Sequence, residues 1–216
     1  MNPQAKAVWR VVGTGPGSPE YLIPAAVRAV EAAEAVVGPP SALALFRLEG
    51  KEVYWLDSDL SSLAEWLRSR LDRAVAVLVS GDPGFYSLLN WLRREFPHQK
   101  LEVVPGISSV QIAFARLASC WHDAVFVSLH GRGWEELEPH LPLLREPPGR
   151  RLVVLTGGRI TPAELARYLL DQGIKGRAWA GADLGRPQER CLEADLEDLA
   201  AREDFPAAAV VVVDHV

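Results

Sequence analysis

The chain has 216 residues, 24% of them charged and 49% hydrophobic, with a formal net charge of -5, a length that buries roughly 70% of the unfolded surface without disulfide or metal staples. Lys and Arg are scattered, which argues against a broad nucleic-acid surface but leaves room for a small anionic ligand held by a few arginines. No run approaches ~18 apolar residues and the opening MNPQAKAVWRVVG has no uninterrupted apolar segment, so neither a membrane span nor a secretory leader is expected and the protein is read as cytoplasmic.

In chain order, β-branched apolar runs predict strands at Trp9–Gly13, Ala35–Gly38, Glu52–Trp55, Ala74–Val79 and Leu101–Val104. Helical patterns at Pro24–Ala33, Leu60–Leu71 and Phe85–Arg94 lie between them. A short helix over Ser108–Leu117 leads through Cys120-Trp121-His122-Asp123 into a strand at Ala124–Leu129, and a domain boundary is placed there, giving domains 1–118 and 119–216. The charged, proline-rich stretch Glu135–Arg150 reads as a helical or loop excursion on the surface. The second half continues the alternation with Arg151–Leu155, a helix over Pro162–Gln172, then Arg177–Ala180, Gln188–Glu193 and Ala207–Asp214. Two α/β domains with largely parallel sheets follow from that alternation. Cys120 and Cys191 lie far apart and outside any metal-ligand spacing, so both are read as buried free thiols, and no metal site is expected.

Two segments stand out. VVGTGPGSPEYL, from Val11 to Leu22, and VLVSGDPGFYSLL, from Val77 to Leu89, each place a Gly/Pro turn directly after an apolar strand, where backbone can approach a ligand closely. The first falls short of a dinucleotide fingerprint, because Ser18 occupies the third glycine position and Gly38, not an acid, follows the second strand. No Lys-Ser or Lys-Thr follows a glycine loop, so a Walker phosphate loop is absent too. Within the second segment Asp82 either binds a ligand or caps a helix beginning near Phe85. Ser108 and Ser109 read as binding residues or as helix caps after Pro105-Gly106. His130 ends an apolar strand, where α/β folds expose functional groups, and Arg132 suits a carboxylate through paired hydrogen bonds. A hydrogen-bonded structural histidine and a plain surface arginine are the alternatives. Arg159 either reaches a carboxylate or caps a carbonyl. The seven tryptophans read mainly as core, and Tyr86 is the aromatic placed to touch a ligand.

The ordered set GTGPGSPEYL, SGDPGFYSLL, VVPGISSVQ, VSLHGR, LTGG and a late DLGRPQER before PAAAVVVVD resembles the tetrapyrrole (precorrin) methylases over nearly the whole chain. Gly84-Phe85-Tyr86-Ser87 and Ser128-Leu129-His130-Gly131-Arg132 resemble its branch acting on carbon 5 of precorrin-7 or cobalt-precorrin-7. The resemblance implies two α/β domains with a cleft for folded S-adenosylmethionine, the methyl donor. It implies that Pro16 borders both the tetrapyrrole and the methyl end of the cofactor. Ser80, Gly81 and Asp82 match the loop usually written Gly-Gly-Asp, with Ser80 the departure. Phe85, Ser108, Ser109, Thr156 and Leu184 then fall at cofactor-binding positions, and Pro16, Tyr86, His130 and Arg132 at substrate-binding ones. His130 and Asp82 are the candidates for moving a proton. A homodimer, and a separate partner for carbon-15 methylation and decarboxylation, are further expectations. Methylation of another ring position, a non-tetrapyrrole acceptor such as RNA or modified protein, and a silent tetrapyrrole- or nucleoside-binding protein are the alternatives.

Overall fold

Short apolar runs that do not alternate with polar residues are what a parallel sheet covered on both faces requires, and the first half of the chain supplies them. The computed structural model describes residues 7–144 and 151–215 and divides into two compact units, Met1–Ser108 and Ser109–Val216. The first unit runs β1 (Trp9–Gly13), α1 (Pro24–Glu31), β2 (Ala35–Gly38), α2 (Pro40–Leu43), β3 (Glu52–Trp55), α3 (Leu60–Arg68), β4 (Val75–Val79), α4 (Leu89–Glu95) and β5 (Leu101–Val104). All five strands are parallel, in the order β3-β2-β4-β1-β5. Successive residues of a strand face opposite ways, so each strand feeds two cores. Trp9, Val11, Val37, Val75 and Val77 meet Leu63, Leu67 and Leu92 of α3 and α4 on one face. Val12, Val36, Ala76 and Leu78 meet Ala26, Val30 and Leu43 of α1 and α2 on the other.

That division decides where a ligand can enter. From β1 the chain moves across one face to β2, and from β4 it moves across the opposite face to β5, although β1 and β4 are neighbours. Connections leaving adjacent parallel strands in opposite directions open a crevice at their carboxyl ends. Both glycine-rich loops emerge at that point.

The second unit contains α5 (Ser109–Arg116), β6 (Val125–Ser128), β7 (Leu152–Leu155), α6 (Pro162–Asp171), β8 (Gly176–Ala182), β9 (Arg190–Asp195), α7 (Leu196–Ala200) and β10 (Ala209–His215). Its sheet has the order β6-β7-β10-β8-β9. Only β6 and β7 pair in parallel; β10 runs antiparallel between β7 and β8, and β9 returns antiparallel along β8. Parallel pairings still dominate the molecule, but the second sheet is chiefly antiparallel, because β10 closes its middle with the chain direction reversed. The carboxyl ends of β6, β7 and β8 nonetheless share one edge, since Leu155 and Ala182 both lie beside the first residues of β10.

Several local expectations change. The helix expected from Phe85 starts only at Leu89, because Tyr86 has a left-handed backbone, φ 48°, which an α-helix of L-residues does not accommodate. The unit division comes at 108/109, before the 118/119 boundary read from sequence, since α5 packs on β10. Both cysteines are free but exposed, not buried, standing at a loop and at the start of an outer strand. Glu135–Arg150 begins as 3-10 turns at Trp134–Glu136 and Glu138–Leu144, and 145–150 lie outside the described residues. Trp9 is fully buried edge-on to Phe96 and Trp134 stacks on Tyr168, whereas Trp55 and Trp121 are exposed. Among the described residues no helix is long and apolar enough to cross a membrane.

Helix α6 begins with a reciprocal cap: Glu164 N–H donates to Thr161 Oγ1 at 3.2 Å and Thr161 N–H to Glu164 Oε2 at 3.4 Å. Thr161→Ala is expected to cost about 1 kcal/mol, read as a lower urea midpoint at unchanged slope.

Candidate functional site

Parallel strands pack about 4.8 Å apart, so loops leaving β1, β4 and β5 at one edge start within reach of one another. They meet through glycine. A Cβ on Gly13 would lie 2.6 Å from both Gly106 N and Gly81 O, and one on Gly106 would overlap Gly81 O. Gly15 and Gly81 exchange backbone hydrogen bonds, Gly81 N to Gly15 O at 2.7 Å and Gly15 N to Gly81 O at 3.3 Å. Thr14, buried between them, donates its hydroxyl and its N–H to Val79 O. Asp82 then staples the third loop: Oδ1 accepts from Gly84 N–H at 2.7 Å and Oδ2 from Gly106 N–H at 3.0 Å. Asp82 therefore does not cap α4, which starts seven residues later.

This edge brings together Pro16, Ser80, Gly81, Asp82, Phe85, Tyr86 and Ser108. Ser80 and Tyr86 are exposed, Ser108 is buried, and Phe85 meets Tyr86 edge-on at 4.9 Å. Gly81 has φ +67°, and the nearest atom to its missing side chain is Ser108 Cα at 3.7 Å. That distance is ordinary contact, so it is the left-handed backbone that calls for glycine here, and a residue without a side chain lets main chain approach a ligand closely.

The second unit gathers His130, Thr156 and Leu184 at the carboxyl edge of β6, β7 and β8. His130 is exposed, in a turn closed by Arg132 N–H donating to Leu129 O at 3.2 Å. Its Nδ1 edge lies where a Cβ on Gly157 would sit, so the ring rests on bare backbone just after Thr156. Thr156 is buried, with its hydroxyl 2.7 Å from Ala207 O and 3.2 Å from Ala209 N–H. That hydroxyl is committed to the strand, as is the N–H, 2.9 Å from Ala209 O, which leaves the methyl group as the side-chain surface for any ligand. Leu184 is buried with Cδ2 2.7 Å from a Cβ position on Gly181. Arg132 is exposed and pairs with Glu136 at 3.5 Å. Ser109 is the first residue of α5, and Arg159 is exposed. Among the described residues no group of three or more His, Cys, Asp or Glu side chains could hold a metal ion.

Sequence reading passed over three contributors. Thr14 and Gly106 act through backbone proximity, which the GTG and PGI spellings only hint at. Glu189, inside DLGRPQER, accepts from Gly185 N–H at 2.7 Å and from Arg116 Nε at 2.6 Å. The Arg116 hydrogen bond outweighs desolvation and holds the Glu189 carboxyl below its ordinary 4.5.

Gly106→Ala is expected to lower stability by about 1–3 kcal/mol through overpacking, visible as a lower melting temperature. Because Glu189 titrates lower in the folded chain, the stability it contributes is complete above the unfolded value and lost as pH falls through the folded one. Glu189→Gln should therefore show a smaller fall in urea midpoint than the parent between about pH 5 and pH 3.

A family model of the Tetrapyrrole (Corrin/Porphyrin) Methylases matches residues 10–200. A cobalt-precorrin-7 C(5)-methyltransferase of Salmonella typhimurium is 33% identical over 95% of this chain and 98% of its own length. A probable cobalt-precorrin-7 C(5)-methyltransferase of Methanocaldococcus jannaschii is 31% identical over 94% and 96%. The solved uroporphyrin-III C-methyl transferase of Thermus thermophilus, complexed with S-adenyl homocysteine, has a TM-score of 0.72 at 26% identity, covering 96% of this chain and 92% of that one. With the family model spanning most of the chain and a relative alike along nearly its whole length, this chain belongs to the tetrapyrrole methylases.

Proposed function

We propose that this chain transfers the methyl group of S-adenosylmethionine to carbon 5 of cobalt-precorrin-7 or precorrin-7 in the building of the corrin ring. The observation that carries the reading is the end-to-end likeness to the Salmonella C(5)-methyltransferase, 33% over 95% of the chain, with neither partner leaving a domain unmatched. The reading also takes the enzyme as a cytoplasmic homodimer that works beside a separate carbon-15 methyltransferase and decarboxylase.

The residues fit the donor on a physical ground: at the carboxyl edge of β1, β4 and β5 the loops meet through side-chain-free backbone, with Gly81 left-handed and Ser80 beside it exposed, so main chain can come close to a ligand. Ser80, Gly81, Asp82, Phe85, Ser108, Ser109, Thr156 and Leu184 are the residues proposed to hold it. When bound, S-adenosylmethionine supplies an electrophilic methyl group on sulfonium, which an electron-rich ring carbon can attack without a covalent enzyme intermediate. The chain's own task is alignment. Holding two reactants in register contributes on the order of 7 to 11 kcal/mol, and the Gly13–Gly81–Gly106 junction gives the loops the rigidity for it. Pro16 and Tyr86 border the macrocycle, and Arg132 meets a peripheral carboxylate.

Of the two candidates for moving a proton, His130 is favoured. Both oxygens of Asp82 already accept backbone N–H groups, so the carboxylate is engaged in holding the loops together. His130 keeps an exposed ring edge turned away from Gly157. Asp82 then serves as the staple of the loop.

The test is an anaerobic incubation with precorrin-7, and separately its cobalt form, using methyl-labelled S-adenosylmethionine and carbon NMR. Label at carbon 5 is expected; cofactor binding without label on either macrocycle would overturn the assignment. His130→Ala is expected to lower kcat by about 10²–10⁴-fold while cofactor affinity is kept, measured by single-turnover kinetics and calorimetric titration.

A further inference from the structure

The segment 183–189 joins β8 to β9 and carries Leu184, and the proposed methyl transfer gives its charged residues no part. Its shape is unusual. Asp183 is left-handed, φ 49°, a conformation that Asp enters more readily than most residues and that persists where neighbouring contacts fix it. Those contacts are local. Arg186 N–H donates to Asp183 O at 3.0 Å and Glu189 N–H to Arg186 O at 3.0 Å. The Glu189 side chain folds back so that Oε2 accepts Gly185 N–H at 2.7 Å. From outside the loop, Arg116 at the end of α5 grips the same carboxylate through two bonds, Nε to Oε1 at 2.6 Å and Nη2 to Oε2 at 3.1 Å. Charge-assisted paired bonds of this kind are stronger and more directional than neutral ones. Within 183–189 Leu184 is the buried side chain, packed beside Gly181, and outside that one anchor the loop's shape rests on these polar contacts.

We infer that Arg116 and Glu189 form a positioning clasp for the cofactor loop, holding Gly185 and with it Leu184 in the shape that receives S-adenosylmethionine. The inference rests on the reading that 183–189 borders the cofactor. Neither residue touches the reacting atoms. Glu189 acts through Gly185 N–H, and Arg116 acts through Glu189 by fixing the direction of its carboxylate. A loop held in its receiving shape before binding loses less freedom when ligand arrives, which appears as affinity. The clasp therefore belongs to cofactor binding and leaves recognition of the macrocycle alone.

The experiment combines hydrogen–deuterium exchange of the full chain, with and without S-adenosylhomocysteine, and calorimetric titration with the same compound. The parent is compared with Glu189→Ala, Glu189→Gln and Arg116→Met. In the parent, S-adenosylhomocysteine is expected to slow exchange across 183–189. In Glu189→Ala, the Gly185 amide is expected to exchange faster without ligand, with affinity about tenfold weaker and KM for the macrocycle unchanged. Glu189→Gln keeps an acceptor for Gly185 N–H and should recover part of the affinity. Arg116→Met removes the grip and keeps Glu189, so it carries the test if Glu189→Ala fails to fold. Absence of ligand protection in the parent would remove the loop from the cofactor site and overturn both readings. Protection in the parent, with variants that match its Gly185 exchange or its affinity, would overturn the clasp and leave the cofactor reading standing.

Discussion

The contact on which the first unit's candidate site depends is the meeting of three peptide backbones at Gly13, Gly81 and Gly106. Adjacent parallel strands cannot be moved apart to make room for side chains, because their ladder of hydrogen bonds fixes the spacing. Loops that leave three neighbouring strands on the same edge either diverge or touch, and touching at this range requires residues without Cβ. Once the backbones touch, their polar groups must be satisfied. The Gly15–Gly81 pair, the Thr14 hydroxyl and the two oxygens of Asp82 do this. Asp82 thereby links the loop after β4 to the loop after β5, and the edge behaves as one rigid surface.

The second unit solves a similar problem with different chemistry. Its sheet is closed by an antiparallel strand, so fewer parallel ends share an edge, and buried side-chain hydrogen bonds take over part of the bracing. Thr156 is tied to the start of β10 from two sides. The His130 ring lies on the bare backbone of Gly157, and Glu189 ties the loop after β8 to α5. These ties use functional groups that could otherwise have contacted a ligand. What remains outward includes one imidazole edge and the side chains of Arg132 and Arg159, groups for binding and orienting, which suits a reaction whose electrophile arrives already activated and whose demand on the protein is alignment.

How much was legible in the sequence divides along physical lines. Strands β1 and β2 coincide with the apolar runs that announce them, because a strand covered on both faces has little choice of composition; β3 and β5, at the two sheet edges and partly exposed, were legible from their β-branched and aromatic residues instead. The motifs identified the family, since loops held by close backbone approach tolerate few residue types. Helix α4 was misjudged at its start. Apolar periodicity around Phe85 suggested helix, but the left-handed backbone of Tyr86 depends on the loop's tertiary surroundings and has no mark in local pattern. The exposure of Cys120 and Cys191 has a related reason: a small apolar residue carries no sign of whether it stands in a loop, as Cys120 does, or on an edge strand, as Cys191 does.

By itself, then, the sequence determined the alternation of strands and helices, the two glycine-rich loops and the kinship they carry, since each depends on residue type and short-range spacing. Only the tertiary structure decided that Asp82 is a staple and not a helix cap, that the second sheet is chiefly antiparallel, and that Glu189 answers to Arg116 across 73 positions of chain. Each of these is a pairing between segments distant in sequence, and a pairing is fixed by which strand ends and helix ends the fold brings to the same edge.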